Sequence, residues 1–409
     1  MNFQKRLYFF ISVSFVVATI QAEEASWLRS NSANALNPKI SVIADFVGQS
    51  GTGGDPSQTV DGFHLREVEI GIQADIDPYA RADFFIGGLN DQGDAPELEE
   101  GFITLLALPL GLQARGGKFR ANFGRLNMVH PHELPQVDSP LVLDAFLGEE
   151  RLASTGFELS RVFAPLGLYT EGTYAFLQDL GGDDKEEEYT TTITDDLGNP
   201  VTVVVPADEA PTPAKRITNF AHVGKIRVYK DLSESTNLDL GFSGSIYAPK
   251  DLYKEDALET DFDKKSLAAV DVTVRWKPLA QGMYHSVLWR TEGMYTDQSL
   301  AQVVSPVDGG EVAEKTRINR RGAYSYVEVQ PAKRWRFGLR GDYMEDPEIR
   351  DNNTPHITRA LAPYVGFTLS EFNRFRVQWT RKNLPGNDIE DLGYFQWTVV
   401  LGPHGAHAF

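Results

Sequence analysis

The sequence predicts an all-β fold: a transmembrane antiparallel β-barrel of about sixteen strands, with one loop folded inward as a constriction. Three observations lead there. Between Ile40 and Leu401, segments of about ten residues alternate apolar and polar side chains. The joints between them are by turns tight and long. No apolar run after Ala22 is long enough for a membrane-spanning helix, and mean hydropathy is only -0.29. That low value is expected where only every second residue of a strand meets lipid.

The chain opens with a targeting signal. Lys5 and Arg6 precede an apolar run from Leu7 to Ile20, and Gln21-Ala22 before Glu23-Glu24 reads as a cleavage site. Residues 1–22 are therefore expected to be a signal peptide, 23–38 a short periplasmic segment and 39–409 the barrel. An uncleaved anchor is the alternative. The absence of cysteine excludes thiol chemistry, iron–sulfur clusters and Cys-type zinc sites. A net charge of -18 argues against nucleic acid as a partner.

The strands follow in order. Ile40 to Val47 is the first. Phe63 to Ile76 sets Val68, Ile70 and Ile72 against Glu67, Glu69 and Gln73, and Asp77-Pro78 turns it into Ala80 to Ile86. Glu100 to Ala107 runs through Pro109-Leu110-Gly111 into Leu112 to Ala121. Gly156 to Phe163 and Gly167 to Phe176 form a hairpin. An acidic connection, Leu177 to Ile217, follows, within which Glu188 to Thr194 and Asn199 to Val205 read as a protruding hairpin. Asn219 to Tyr229 pairs with Asn237 to Tyr247. Leu267 to Trp276 shows the cleanest alternation, Val270, Val272, Val274 and Trp276 against Asp271, Thr273 and Arg275, and leads to Met283 to Tyr295. Gly322 to Val329, Trp335 to Tyr343, Ile357 to Leu369, Phe372 to Thr380 and Leu392 to Leu401 complete the set. Aromatics near segment ends, such as Tyr229, Trp276, Trp335 and Phe372, suit interfacial girdles. A soluble β-sandwich also alternates, but its strands are shorter and its loop lengths do not alternate over so many hairpins.

One connection stands apart, between the strand ending near Ala121 and the one starting near Gly156. A loop this long is functional or disordered. This one carries Leu141, Val142, Leu143, Phe146 and Leu147, which require burial. The expectation is that Gly124–Arg151 folds into the lumen.

Assigning the apolar face of each strand to lipid leaves a charged inner face. Its pore-lining basic set is Lys118, Arg120, Lys225, Arg227, Arg275, Arg290, Arg334, Arg336, Arg340, Arg374 and Arg376. The constriction loop adds the acids Glu133, Asp138, Asp144, Glu149 and Glu150. An acidic loop facing a basic wall sets a transverse field across a narrow passage, and rows of guanidinium favour anions. Wall-to-loop ion pairs would weaken that preference. His130-Pro131-His132-Glu133 offers imidazoles and a carboxylate as a candidate divalent-metal set, with His404 and His407 as a second pair. The alternative is loop histidines bonded to carbonyls or neighbouring acids. No GxSxG, HExxH or Walker pattern is present, so neither an enzyme nor a bound cofactor is expected.

The signal, the strand pattern and the terminal Phe409 resemble Gram-negative outer-membrane porins. The ending LGPHGAHAF departs from that family's usual alternation. Length, strand count and basic inner faces look most like the phosphate-selective porin superfamily. GRLNMVHPHELPQVDSPLV with the HGAH ending also resembles a family of outer-membrane proteins described as zinc-regulated. The resemblance implies the cell outer membrane, lipid and small hydrophilic, anionic solutes as partners, assembly as homotrimers, and passive diffusion as the function. The alternatives are a metal (zinc)-linked uptake or binding barrel, and an adhesin using the acidic loop.

Overall fold

The computed structural model describes residues 38–52, 61–91, 93, 95–148, 150–180, 189–194, 200–205, 220–248, 264–280, 282, 284–304, 312–351 and 354–402. The expected signal peptide, nearly all of the segment after it, Glu149, His404, His407, Phe409 and most of the acidic Leu177–Ile217 connection lie outside these residues.

Eighteen strands are present among the described residues. They are β1 (Lys39–Thr52), β2 (Gly62–Asp77), β3 (Ala80–Leu89), β4 (Glu97–Leu108), β5 (Leu112–Arg120), β6 (Ala153–Phe163), β7 (Tyr169–Leu177), β8 (Tyr189–Thr194) and β9 (Pro200–Val205). They continue as β10 (Ala221–Ser233), β11 (Thr236–Tyr247), β12 (Lys265–Trp276), β13 (Ser286–Val304), β14 (Val312–Ala332), β15 (Trp335–Asp351), β16 (Thr354–Ser370), β17 (Asn373–Asn383) and β18 (Ile389–Leu401). Sixteen of them form one closed antiparallel barrel, and β8 and β9 pair separately as a hairpin within the acidic connection. Closure is made by β1 and β18, in register from Val42–Leu401 to Thr52–Asp391. A sandwich has open edges, so this ring excludes it.

Alternation decides which way each strand faces. On β12, Val270 is exposed on the outer surface while Asp271 and Thr273 are buried inside. On β17, Val377 and Trp379 face out and Arg376, Gln378 and Thr380 face in. Exposed aromatics gather at the short-turn end: Tyr79, Phe163, Tyr169, Trp276, Tyr284, Trp335 and Phe372. Phe63, Tyr295 and Trp379 stand toward the other end. An apolar outer band with aromatic girdles and a polar interior is the surface a lipid bilayer requires. Several strands outrun the alternation that marks them. β14 is 21 residues long, about twice what the bilayer needs. Its first half, VAEKTRINRR, carries charge without an apolar period, so the sequence pattern begins only near Gly322.

The loop between β5 and β6 does fold inward, and it brings its own core. Helix α1 (Leu141–Leu147) buries Val142, Leu143, Phe146 and Leu147 and packs on β14 and β15. With Phe119, Phe123, Leu126, Leu134, Leu152, Leu177, Met294 and Tyr324 they make one apolar cluster inside the barrel. The loop is thereby an ordered partition across the lumen.

Candidate functional site

The partition starts at a polar clasp. Asn127 donates to the carbonyls of Ala121 (2.8 Å) and Leu152 (3.3 Å), and its Oδ1 accepts from the Leu152 amide (2.9 Å). One amide side chain thus ties both ends of the loop together, with all its partners dry. From this clasp the loop reaches the wall on every side.

Toward β10–β14 the Gly124 amide donates to Ser243 Oγ (3.0 Å), and the Arg125 amide to Glu292 Oε1 (2.9 Å). The Arg125 guanidinium meets Asp239 at 3.1 Å. Its burial and the neighbouring Arg290 lower its pKa against the pull of Asp239. Gly124 is in the left-handed region (φ 54°), and a Cβ there would stand 1.9 Å from Glu292 Oε1, so this approach needs glycine.

Toward β15–β17 the wall is cationic. Arg340 binds Asp138 Oδ1 and Asp342 Oδ2, each at 2.8 Å, and donates to the Asp138 carbonyl at 2.9 Å. Arg376 donates to the carbonyls of Leu134, His132 and Gln136, and Arg374 to that of His132. Gln378 takes the Val137 amide at 2.8 Å and Thr380 donates to Asp138 Oδ2 at 3.1 Å. Arg66 on β2 donates to the Val137 carbonyl at 2.7 Å. The loop's backbone carbonyls, more than its carboxylates, are what these guanidinium groups engage.

The fourth side is a histidine–glutamate seam. His130 Nδ1 lies 2.8 Å from Glu69 Oε2 and 3.1 Å from Glu99 Oε2, and its Nε2 lies 3.3 Å from Glu100 Oε1. His132 Nδ1 lies 3.5 Å from Glu67 Oε2 and 4.0 Å from Glu69 Oε2. Glu99 also holds Arg120 at 3.0 Å. Both rings and Glu69 are buried. Burial and Arg120 disfavour the His130 imidazolium, and its bonds to Glu100, Glu69 and Glu99 outweigh them, so its pKa stands well above the usual histidine value. β-Bulges build the seam. The register between β3 and β4 passes from Phe85–Glu100 to Ile86–Leu98, so Glu99 is an extra residue, and Glu99 and Glu100, adjacent in sequence, both reach His130. A second slip, from Asp45–Glu67 to Phe46–Leu65, makes Arg66 the extra residue beside Glu67.

A cavity lies on each side of the partition. On the long-loop side, about 280 Å³ is lined by Arg66, Glu67, Gly88, Glu97, Glu99, Lys118, Arg120, Pro131, Glu150 and Ala153. On the short-turn side, about 350 Å³ includes six cations, Arg81, Arg115, Arg125, Lys225, Arg227 and Arg290, against three carboxylates, Asp83, Glu158 and Glu171.

The residues singled out from sequence distribute as follows. Lys118 pairs with Glu97 at 3.0 Å beside the first cavity. Lys225 donates to Asn122 Oδ1 and the Gly124 carbonyl. Arg227 pairs with Asp239 (2.5 Å) and Glu171 (3.7 Å). Arg290 donates to Thr273 Oγ1 and lies over Tyr326. Arg275 is half-buried, Arg334 is exposed in the β14–β15 turn, and Arg336 is exposed 3.7 Å from Glu328. Of the loop acids, Asp138 is bound as above, and Asp144 is exposed 3.6 Å from Arg151. Glu150 is exposed at the first cavity and Glu133 half-buried. The ligand-type atoms that converge are those of Glu69, His130 and His132, with Glu67 and Glu99 overlapping, and Glu133 is outside that set. Glu99, Glu100, Arg66 and Arg115 were not marked by sequence. The Glu97-Leu98-Glu99-Glu100 run was the available signal, but its bulge is not written in the alternation.

A closed barrel of this strand number, apolar outside and charged within, is an outer-membrane β-barrel. No family model matches the chain. It is 26% identical over 362 residues to an uncharacterized protein of Aquifex aeolicus, an alignment spanning 85% of this chain and 70% of that one. In fold it is similar to OprB of Pseudomonas putida (TM-score 0.52, 9% identity, 91% of this chain and 96% of that one). It is likewise similar to the outer membrane channel DcaP of Acinetobacter baumannii (TM-score 0.52, 10% identity, 90% and 97%). The third is OmpF of Salmonella typhi (TM-score 0.52, 8% identity, 90% and 99%).

Proposed function

We propose that the protein is an outer-membrane channel through which small hydrophilic solutes, anions in preference, diffuse past the Gly124–Arg151 partition. The observation that carries this reading is the pair of polar cavities facing each other across the loop inside a closed, lipid-compatible barrel. The short-turn-side cavity holds twice as many cationic as anionic side chains. Fixed charges of one sign in a narrow lumen raise the local concentration of the opposite ion. The likeness to a structure described as an outer membrane channel supports the same reading. Kinship with the phosphate-selective porin superfamily, and assembly as a homotrimer, extend it. Mass in detergent reads out the second.

The test is single-channel recording in planar bilayers with a salt gradient. The expected result is a small, steady conductance whose reversal potential favours the anion, with the preference shrinking at high salt as the wall charges are screened. A reversal potential favouring the cation overturns the anion preference. Absence of any conductance from correctly folded protein overturns the channel.

A further inference from the structure

We propose that Glu69, His130 and His132 bind one divalent transition-metal ion of the zinc class, which staples the loop to the barrel wall. The three ligand atoms lie within 4.8 Å of one another. From Glu69 Oε2 the separations are 2.8 Å to His130 Nδ1 and 4.0 Å to His132 Nδ1. A tetrahedral ion with bonds of about 2.1 Å sets its ligand atoms roughly 3.4 Å apart. The group therefore reaches that geometry by side-chain shifts of under about 1 Å.

The surroundings match such a site independently. Glu67, Glu69 and Glu99 form a second convergent set that shares Glu69, so a fourth ligand is at hand from either neighbour. Glu67 and Glu99 also line the long-loop-side cavity, so the set borders open space. On its other ring nitrogen, His130 Nε2 faces Glu100 at 3.3 Å. A carboxylate behind a metal-bound imidazole fixes its tautomer and its direction. Glu69 is fully buried, and its Oε1 takes no hydrogen bond among the described residues. Four carboxylates and two imidazoles crowd this seam, with Arg120 the cation paired to Glu99 and Glu100, and a divalent ion adds positive charge among the carboxylates in a medium of low dielectric. Two imidazoles select the zinc class over calcium or magnesium, which prefer all-oxygen shells.

The ion would join three elements. His130 and His132 flank Pro131 at the short turn Pro131–Glu133, while Glu69 belongs to β2 and Glu99 to the bulge of β4. Binding would thus tie the turn at His132, whose carbonyl Arg374 and Arg376 of β17 already hold, to β2 and β4 on the opposite side.

The experiment uses the full-length barrel in detergent, stripped with a chelator and titrated with Zn²⁺ by calorimetry. One equivalent is expected, with X-ray absorption showing two imidazole nitrogens at about 2.0–2.1 Å. Glu69→Gln and His132→Ala are each expected to weaken binding at least tenfold, while a His404→Ala/His407→Ala variant keeps the equivalent. Absence of binding by the native protein overturns the proposal. So does an equivalent that survives in Glu69→Gln and His132→Ala, or one lost only with His404 and His407. Where a variant fails to fold, shown by loss of its heat-dependent gel shift, the absorption spectrum of the native protein decides alone. The result is independent of conductance, so it stands or falls apart from the channel reading.

Discussion

Arg340 is fully buried yet permanently charged, and its partners explain how that is tolerated. Its three donor nitrogens meet Asp138 Oδ1, Asp342 Oδ2 and the Asp138 carbonyl, so the planar fork is filled by one loop residue and one wall residue. Arg340→Ala would leave Asp138 and Asp342 facing each other with no counter-charge. The expected cost is about 3–5 kcal/mol, the usual penalty for breaking a buried pair from one side. Denaturant unfolding in lipid measures it. Arg340→Lys is expected to recover little, because an ammonium cannot span both carboxylates. A second residue tests shape alone. A Cβ on Gly322 would come 2.5 Å from Val142 Cγ2. Gly322→Val is therefore expected to push α1 off β14 and raise single-channel conductance, with the barrel's circular dichroism unchanged.

At the level of elements, the strands were readable and the seams between loop and wall were not. Strands such as β12 and β17 write their two faces directly as alternation, and all sixteen barrel strands overlap a segment found that way. The inward course of the loop was readable too, because Val142, Leu143, Phe146 and Leu147 have nowhere else to be buried. What escaped was the partner of each wall cation. Arg374 and Arg376 bind loop carbonyls, and every residue carries a carbonyl, so no side-chain pattern could announce them. The histidine pair was visible in sequence, but its carboxylates come from the bulged edge of β4 and from β2, which only the register brings together. Because α1 is held by apolar contact, replacing Val142, Leu143, Phe146 and Leu147 by serine removes about 1.5–3 kcal/mol of burial at each site. The loop is then expected to leave the wall of β14 and β15. Larger and noisier single-channel currents, from a barrel that still shows the heat-dependent gel shift, would register the change.

The whole molecule depends on which surface meets which solvent, and one strand can test that. Val270 sits at the middle of β12, opposite Phe242 of β11 and Gly293 of β13, and it faces outward. Its sequence neighbour Asp271 is buried inside at 1% exposure. In lipid, an arginine on the outer face at mid-depth costs about 2–4 kcal/mol, and near an interface only about 0–1 kcal/mol. Leu401 is also outward and exposed, but it ends β18 at the short-turn rim. Val270→Arg is therefore expected to lose about 2–4 kcal/mol and Leu401→Arg about 0–1 kcal/mol in the same unfolding assay in liposomes. The ratio between the two is the informative quantity. A water-facing surface would make both substitutions nearly neutral, and a packed protein interior would penalise both heavily. Only a bilayer grades the cost with distance from its centre, so a depth gradient along the outer face is the property that separates a spanning barrel from every other closed sheet.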